Sequence, residues 1–231
     1  MDKGHITNIV MLGSRGRPAL AEKCLESFKR TSHISDLLLI IDEDEKDLYP
    51  TIEGVKTVVM PASYGTTWCA KTNYFVEQKL YQGYDTFTWV DDDCVCETDA
   101  WDLLLYLPLK VKGYGVSWPN DGIQQGNLPT KGMATTNLLD IFGFFSIPGT
   151  IHLFVDNFWK RIGEELESAH YAPNVLMMHN HWVNKRAEVD KTYHLSMARE
   201  TWDHDERLFT DYLTGDFHDD IDRAKKALKL A

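Results

Sequence analysis

Nowhere in this chain does an apolar run approach the roughly 20 residues that a membrane-spanning helix needs. The opening Met1-Asp2-Lys3-Gly4-His5 lacks the apolar stretch of a secretory leader, so the expected compartment is the cytoplasm. Cysteine is scarce. Cys24, Cys69, Cys94 and Cys96 do not make two zinc-binding pairs, because Cys94-Val95-Cys96 is too closely spaced and alternates as a strand would. Reduced, mostly buried thiols are the expectation. Positive charge is also in short supply: 24 basic against 35 acidic residues give a net charge of −11. That argues against extensive binding to a phosphate backbone and leaves room only for a local basic groove. No internal repeat or low-complexity tract stands out.

The chain does have 231 residues, 43% of them hydrophobic, with 7 Trp, 10 Tyr and 10 Phe, enough for one large α/β core with an appended subregion. Ile6 to Leu12 is a short apolar run read as a strand. Gly13-Ser14-Arg15-Gly16-Arg17-Pro18 then turns the chain, with Pro18 at a first helical position where its missing N–H costs nothing. Leu20, Ala21, Cys24, Leu25 and Phe28 recur at helical spacing to about Arg30. Asp36 to Asp42 is continuously apolar between its acidic ends, as in a parallel strand covered on both faces. Val55 to Met60 predicts a third strand, Trp68 to Leu80 a helix face, and Thr86 to Val90 a fourth strand. Alternating strands and helices suggest a Rossmann-like half.

Beyond Asp99 the pattern loosens. Ala100 to Leu107 reads as a short helix stopped before Pro108, and Lys112 to Gly149 as functional loops around short strands. Phe154 to Ala169 is helical in pattern, and a strand or hairpin is expected from Val175. Asp203 and Glu206 fit a capping box before Leu208, and Ile221 to Leu230 reads as a terminal helix. The expected organisation is a first half over 1–99, a second half over 100–202 and a helical extension over 203–231, all in one compact domain.

The most informative stretch is Trp89-Val90-Asp91-Asp92-Asp93, three carboxylates where a buried strand ends. The carboxyl edge of an open α/β sheet is where ligands bind. Three adjacent carboxylates repel, and a hard divalent cation shared with phosphate oxygens would compensate them. A solvated acidic turn is the plainer alternative. Trp118-Pro119-Asn120-Asp121-Gly122 has the mixture of an acceptor-binding loop, with Trp118 offering a flat face to a sugar ring and Asp121 accepting from hydroxyls. Alternation in His179-Asn180-His181 puts both histidines on one face of a strand.

In order along the chain, Gly13-Ser14-Arg15-Gly16-Arg17-Pro18, the strand ending at Asp42, Val90-Asp91-Asp92-Asp93 and Val155-Asp156-Asn157-Phe158-Trp159 resemble a compact glycosyltransferase of the GT-A fold, of the family-2-like or small virus-type nucleotide-sugar transferases. The resemblance covers roughly residues 5–185. It implies a Rossmann-type α/β sheet with an acceptor-side subregion, Mn²⁺ or Mg²⁺, and a nucleoside diphosphate sugar as donor. Asp93 then corresponds to the metal-binding end of the Asp-rich motif, with Asp91 and Asp92 on the donor side. Asp42, with Asp44 as the alternative, would meet the base or ribose, while Arg15 and Arg17 would meet base or diphosphate. Lys71 could offset phosphate charge. A C-terminal histidine, His181 or His179, would join the metal. Asp156 would be the catalytic base of an inverting transfer, a role compatible with capping its helix, although a single Asp followed by Asn replaces the frequent acidic pair. A sugar nucleotidyltransferase and a noncatalytic carbohydrate-binding protein are the competing readings. A modified DNA acceptor is not favoured by the charge.

Overall fold

In the computed structural model, the described residues are 6–186, 193–194 and 198–230. The opening pentapeptide of the leader reading lies outside them. The first half is built as the apolar pattern demands: β1 (Asn8–Gly13), α1 (Pro18–Thr31), β2 (Ser35–Asp42), β3 (Val55–Met60), α2 (Trp68–Glu77) and β4 (Thr86–Val90). β1 pairs in parallel with both β2 and β4, and β3 adds in parallel to β2. Successive side chains of these strands point to opposite faces, and both faces are covered along β1, β4 and most of β2, while β3 is a largely exposed edge. Ile9, Met11, Leu38, Ile40, Phe87 and Trp89 join one core cluster, while Val10, Leu12, Leu37, Leu39, Ile41 and Val90 join the other. Asn8, the one polar residue in β1, is fully buried and satisfied, donating to Ser35 and accepting from Thr86 and Thr88.

The second half continues with β5 (Cys94–Cys96), α3 (Trp101–Lys112), β6 (Val116–Asn120), β7 (Gly132–Thr135), α4 (Thr136–Phe142), α5 (Val155–Glu165) and β8 (Ala169–His179). It closes with α6 (Arg199–Thr214) and α7 (Phe217–Ala227). The eight strands run in the order β3-β2-β1-β4-β7-β6-β8-β5. β7 pairs antiparallel with β4 and β6, β8 runs parallel to β6, and β5 returns antiparallel to β8. The α/β expectation holds, as a mixed rather than purely parallel sheet. Gly132 is required where β7 crosses β4: a Cβ there would lie 2.5 Å from the Trp89 ring.

Several local expectations change. The helix expected to stop before Pro108 runs through it to Lys112. Pro108 takes away the donor for the carbonyl of Leu104, on a stretch of the helix where Leu104 and Leu107 are exposed. β8 begins at Ala169, six residues before the expected start, in the stretch read as helix. Asp203 lies inside α6, accepting from Arg199 one turn back, so it does not cap the helix. The four cysteines are free and buried as expected, and burial pushes the Cys96 thiol up to about 11.

Candidate metal and substrate cleft

The order of strands reverses direction between β1 and β4, and the loops leaving their carboxyl ends meet there. Gly16 turns the first loop with φ 69°, a value glycine adopts without strain, and its N–H donates to Glu45. Ser14 and Arg17 from this loop both reach Asp92, at 2.8 and 3.1 Å. Arg17 also lies over the Tyr193 ring, 4.4 Å from its centroid. Burial pushes the Asp92 carboxyl up to about 6, with the Arg17 charge working against it.

Asp42, at the end of β2, is 2% exposed and binds two cations through one oxygen: Arg15 at 2.9 Å and Lys71 at 2.8 Å. Its Oδ1 is buried with no hydrogen-bond partner. Arg15 also grips Asp44 in a two-pronged pair, and these carboxylates raise its pKa. The Lys71 side chain is 2% exposed, and its ammonium donates to Asp42 and to the Thr66 carbonyl, so it holds Asp42 in position. Burial lowers its pKa and Asp42 partly restores it.

The acidic run forms the tight turn from β4 into β5, closed by the Cys94 N–H on the Asp91 carbonyl. The pairing of Cys94 with His179 brings the end of β8 alongside it. Asp91, Asp93 and His179 each offer a ligand atom, all within 4.8 Å of one another. Asp93 accepts from the Tyr193 hydroxyl through Oδ2 at 2.7 Å. Its Oδ1 is buried without a hydrogen bond and lies 3.2 Å from His179 Nε2. Burial works to raise the Asp93 carboxyl, but His179, the Lys131 charge and Tyr193 outweigh it and hold it well below the usual range. Two carboxylates and an imidazole suit a hard or borderline divalent ion. His181 is outside this group. β8 ends at His179, so strand alternation does not extend to His181, whose Nδ1 accepts from the Val183 N–H and whose ring packs on Tyr193.

A cleft of about 290 Å³ opens beside this cluster, lined in part by Asp91, His179, His152 and Asp156. Asp156 sits in the first turn of α5. That helix forms because Val155, Phe158, Trp159 and Ile162 recur at helical spacing and bury one face. The helix has no side-chain cap, so Asp156 is not spent on the backbone. It accepts no hydrogen bond from the described residues, and burial, with the Asp91 charge adding to it, pushes its carboxyl up to about 7. Phe154 just before it has φ 65°, which costs about 1 kcal/mol for a residue with a Cβ. Its ring stacks on Phe209 of α6 at 5.2 Å and meets Trp202 edge-on at 5.3 Å.

Trp118 and Asp121 have a different role from the one expected. Trp118 is 5% exposed, its Nε1 donates to the Gln125 carbonyl, and its ring packs against Tyr171, so it presents no free face. Asp121 accepts from the N–H groups of Ile123, Gln124 and Gln125 and from the Thr130 hydroxyl. These bonds hold its carboxyl below the usual range although burial opposes them. It shapes the loop that carries Gln124 and Thr130 to the cleft wall.

Three residues escaped sequence reading. Lys131 is buried with its ammonium 2.6 Å from Asp91, and although burial opposes its charge, Asp91 and Asp93 raise its pKa. Its place follows from β7 pairing with β4, with Trp89 opposite Gly132, a long-range register that no local pattern shows. His152 stands in the cleft, its pKa lowered by burial. Asp205 of α6, fully buried, accepts from the N–H groups of Ile151, His152 and Leu153, each at 2.8 Å. It thereby fixes the loop that leads into Asp156.

No family profile and no curated protein sequence matches the chain. Solved structures do match. Glucosyl-3-phosphoglycerate synthase from Mycobacterium tuberculosis, in complex with Mn²⁺, UDP-glucose and phosphoglyceric acid, superposes with TM-score 0.59 at 14% identity, covering 89% of this chain and 80% of that one. The mannosyltransferase PcManGT from Pyrobaculum calidifontis, in complex with GDP-Man and Mn²⁺, gives TM-score 0.54 at 9% identity, covering 92% and 76%. The chain therefore has the GT-A fold, the fold of these glycosyltransferases.

Proposed function

We propose that this protein is a metal-dependent glycosyltransferase that moves a sugar from a nucleoside diphosphate donor to a hydroxyl acceptor, with inversion. The observation that carries the proposal is one arrangement: Asp91, Asp93 and His179 gathered at the sheet's carboxyl edge, with Asp156 uncommitted in the same cleft. The solved structures of the same fold hold Mn²⁺ with GDP-mannose or UDP-glucose.

Asp91, Asp93 and His179 would hold Mn²⁺ or Mg²⁺, and the unpartnered Oδ1 of Asp93 fits that use. When bound, the ion would neutralise charge on the diphosphate. Arg17, beside Asp92, adds positive charge on the diphosphate side. Asp42 would receive hydrogen bonds from base or ribose on its free Oδ1, backed by Lys71 and Arg15. Asp156, as carboxylate, takes the proton of the acceptor hydroxyl as that oxygen attacks the anomeric carbon. The bond from that carbon to the diphosphate oxygen breaks, and the nucleoside diphosphate leaves with its electron pair. A single displacement by one base inverts the centre.

Calorimetric titration of the protein with UDP-glucose and GDP-mannose tests the reading. Binding of at least one donor that strengthens with Mn²⁺, and is lost in Asp93→Asn, is expected. Absence of any donor binding in the folded protein with Mn²⁺ would refute it, and release of pyrophosphate would mark nucleotidyl transfer instead.

A further inference from the structure

The cleft lining mixes two chemistries. Part of it is apolar: Trp202 of α6 stands beside Phe154, with ring centroids 5.3 Å apart, and Trp68, Leu128 and Leu153 line the same space. Trp202 is 42% exposed, so this residue is kept partly open. Part of it is polar: Gln124, Thr130 and Asn157 offer neutral hydrogen-bonding groups in the same lining as the carboxylates Asp91 and Asp156. No lysine or arginine lines the cleft among the described residues. Lys131, behind Asp91, has no exposed side-chain surface and is already engaged there. Burial lowers the His152 pKa, which keeps this lining imidazole neutral near pH 7.

A pocket that combines a partly exposed indole with amides and a hydroxyl matches a molecule that has both apolar and hydroxyl-bearing surface. A pyranose ring is such a molecule: C–H groups cover one face and hydroxyls the rim. The charge of a divalent ion held by Asp91, Asp93 and His179 would be offset by the two carboxylates and the donor diphosphate. An anionic acceptor would therefore still meet the Asp156 carboxylate and the diphosphate with no lining ammonium or guanidinium to offset them, at a cost that grows as water is excluded. We infer that the acceptor is an uncharged carbohydrate or glycoside that lays its ring against Trp202 and turns one hydroxyl toward Asp156. This deepens, and rests on, the transferase reading above.

Donor binding is established first, by titration with UDP-glucose or GDP-mannose and Mn²⁺; its failure would remove the transferase reading itself. With the bound donor, transfer is then measured by product mass on two acceptor sets. One holds neutral glycosides and oligosaccharides, and the other holds phosphorylated acceptors such as glucose 6-phosphate and glycerol 3-phosphate. Product from the neutral set alone is expected. Trp202→Ala should raise the acceptor KM about tenfold while leaving donor KM and kcat within about twofold, and Trp202→Phe should recover most of the loss, in line with the stacking energy of one aromatic face. Product from the phosphorylated set, no product from the neutral set despite donor binding, or an unchanged acceptor KM in Trp202→Ala would each overturn the inference.

Discussion

The two edges of the central sheet use the same residue, aspartate, in opposite ways. At the amino-terminal edge, Asp102 of α3 is fully buried, and one of its oxygens accepts from the N–H groups of His33 and Ile34 and from the Ser35 hydroxyl, where the chain enters β2. Its other oxygen takes the Leu103 N–H. At the carboxyl edge, Asp42 and Asp93 are nearly as deeply buried, yet each keeps one oxygen with no hydrogen bond. Burying an acceptor without a hydrogen bond costs about 1–3 kcal/mol. The saturated carboxylates hold the chain in place, whereas Asp42 and Asp93 each keep an oxygen with capacity for a further partner. Asp121 and Asp205 lie close to the cleft but belong, by this rule, with Asp102.

The distinction can be broken by mutation. Asp93→Asn should give the largest effect, a fall in kcat/KM of about 10³-fold or more with loss of the Mn²⁺ dependence of donor binding, since metal-assisted charge stabilisation is worth several kcal/mol. Steady-state kinetics with and without Mn²⁺, with circular dichroism to verify folding, would check it. An activity change under tenfold would place Asp93 among the structural carboxylates. Asp156→Asn should lower kcat about 10³-fold while donor affinity holds. It should also raise the melting temperature more at pH 8 than at pH 5. The carboxyl is pushed up to about 7, above its ordinary value of 3.8. The stability of the protonated form is therefore fully present only below about pH 4 and is lost as pH rises from there through 7.

Asp205→Asn and Asp102→Asn sharpen the comparison. Each should cost about 2–3 kcal/mol in urea unfolding, because bonds to a buried carboxylate are weakened in both. Only Asp205→Asn should also lower kcat, about tenfold, since the loop it pins carries His152 and leads into Asp156. Equal kcat in the two variants would deny the loop any positioning role. For the unaltered protein, if it transfers sugar as proposed, kcat/KM should fall about tenfold per pH unit below the Asp156 pKa of about 7. A flat profile from pH 5.5 to 8 would exclude Asp156 as the base. The smallest effect belongs to Trp118→Phe, which should leave acceptor KM within about twofold while lowering the melting temperature by a few degrees through lost packing and the lost bond to Gln125.

The parallel half was legible in the sequence because its strands are short runs rich in β-branched and apolar residues bounded by turn signals, and Val55 to Met60, although an exposed edge strand, and Thr86 to Val90 match their observed bounds. The acidic turn was legible too, because three carboxylates ending such a strand are locally unmistakable. What stayed hidden depends on pairing at long sequence distance. Lys131 reaches Asp91 only through the register of β7 on β4, and His179 rather than His181 meets Asp93 only because β8 ends where it pairs with Cys94. Trp118 illustrates the converse. Its loop has an acceptor-site composition, yet β6 lies inside the sheet between β7 and β8, and the ring is used for packing.

The pairing of β5 with β8 is only three residues long, yet it joins the turn after the fourth strand to the end of the eighth. The imidazole and the two carboxylates therefore become neighbours only after most of the polypeptide has been threaded into place. An ion that prefers the three together would select, from all compact states, the one in which the last strand has docked in register. Its affinity during refolding would then serve as a gauge of whether the chain has finished.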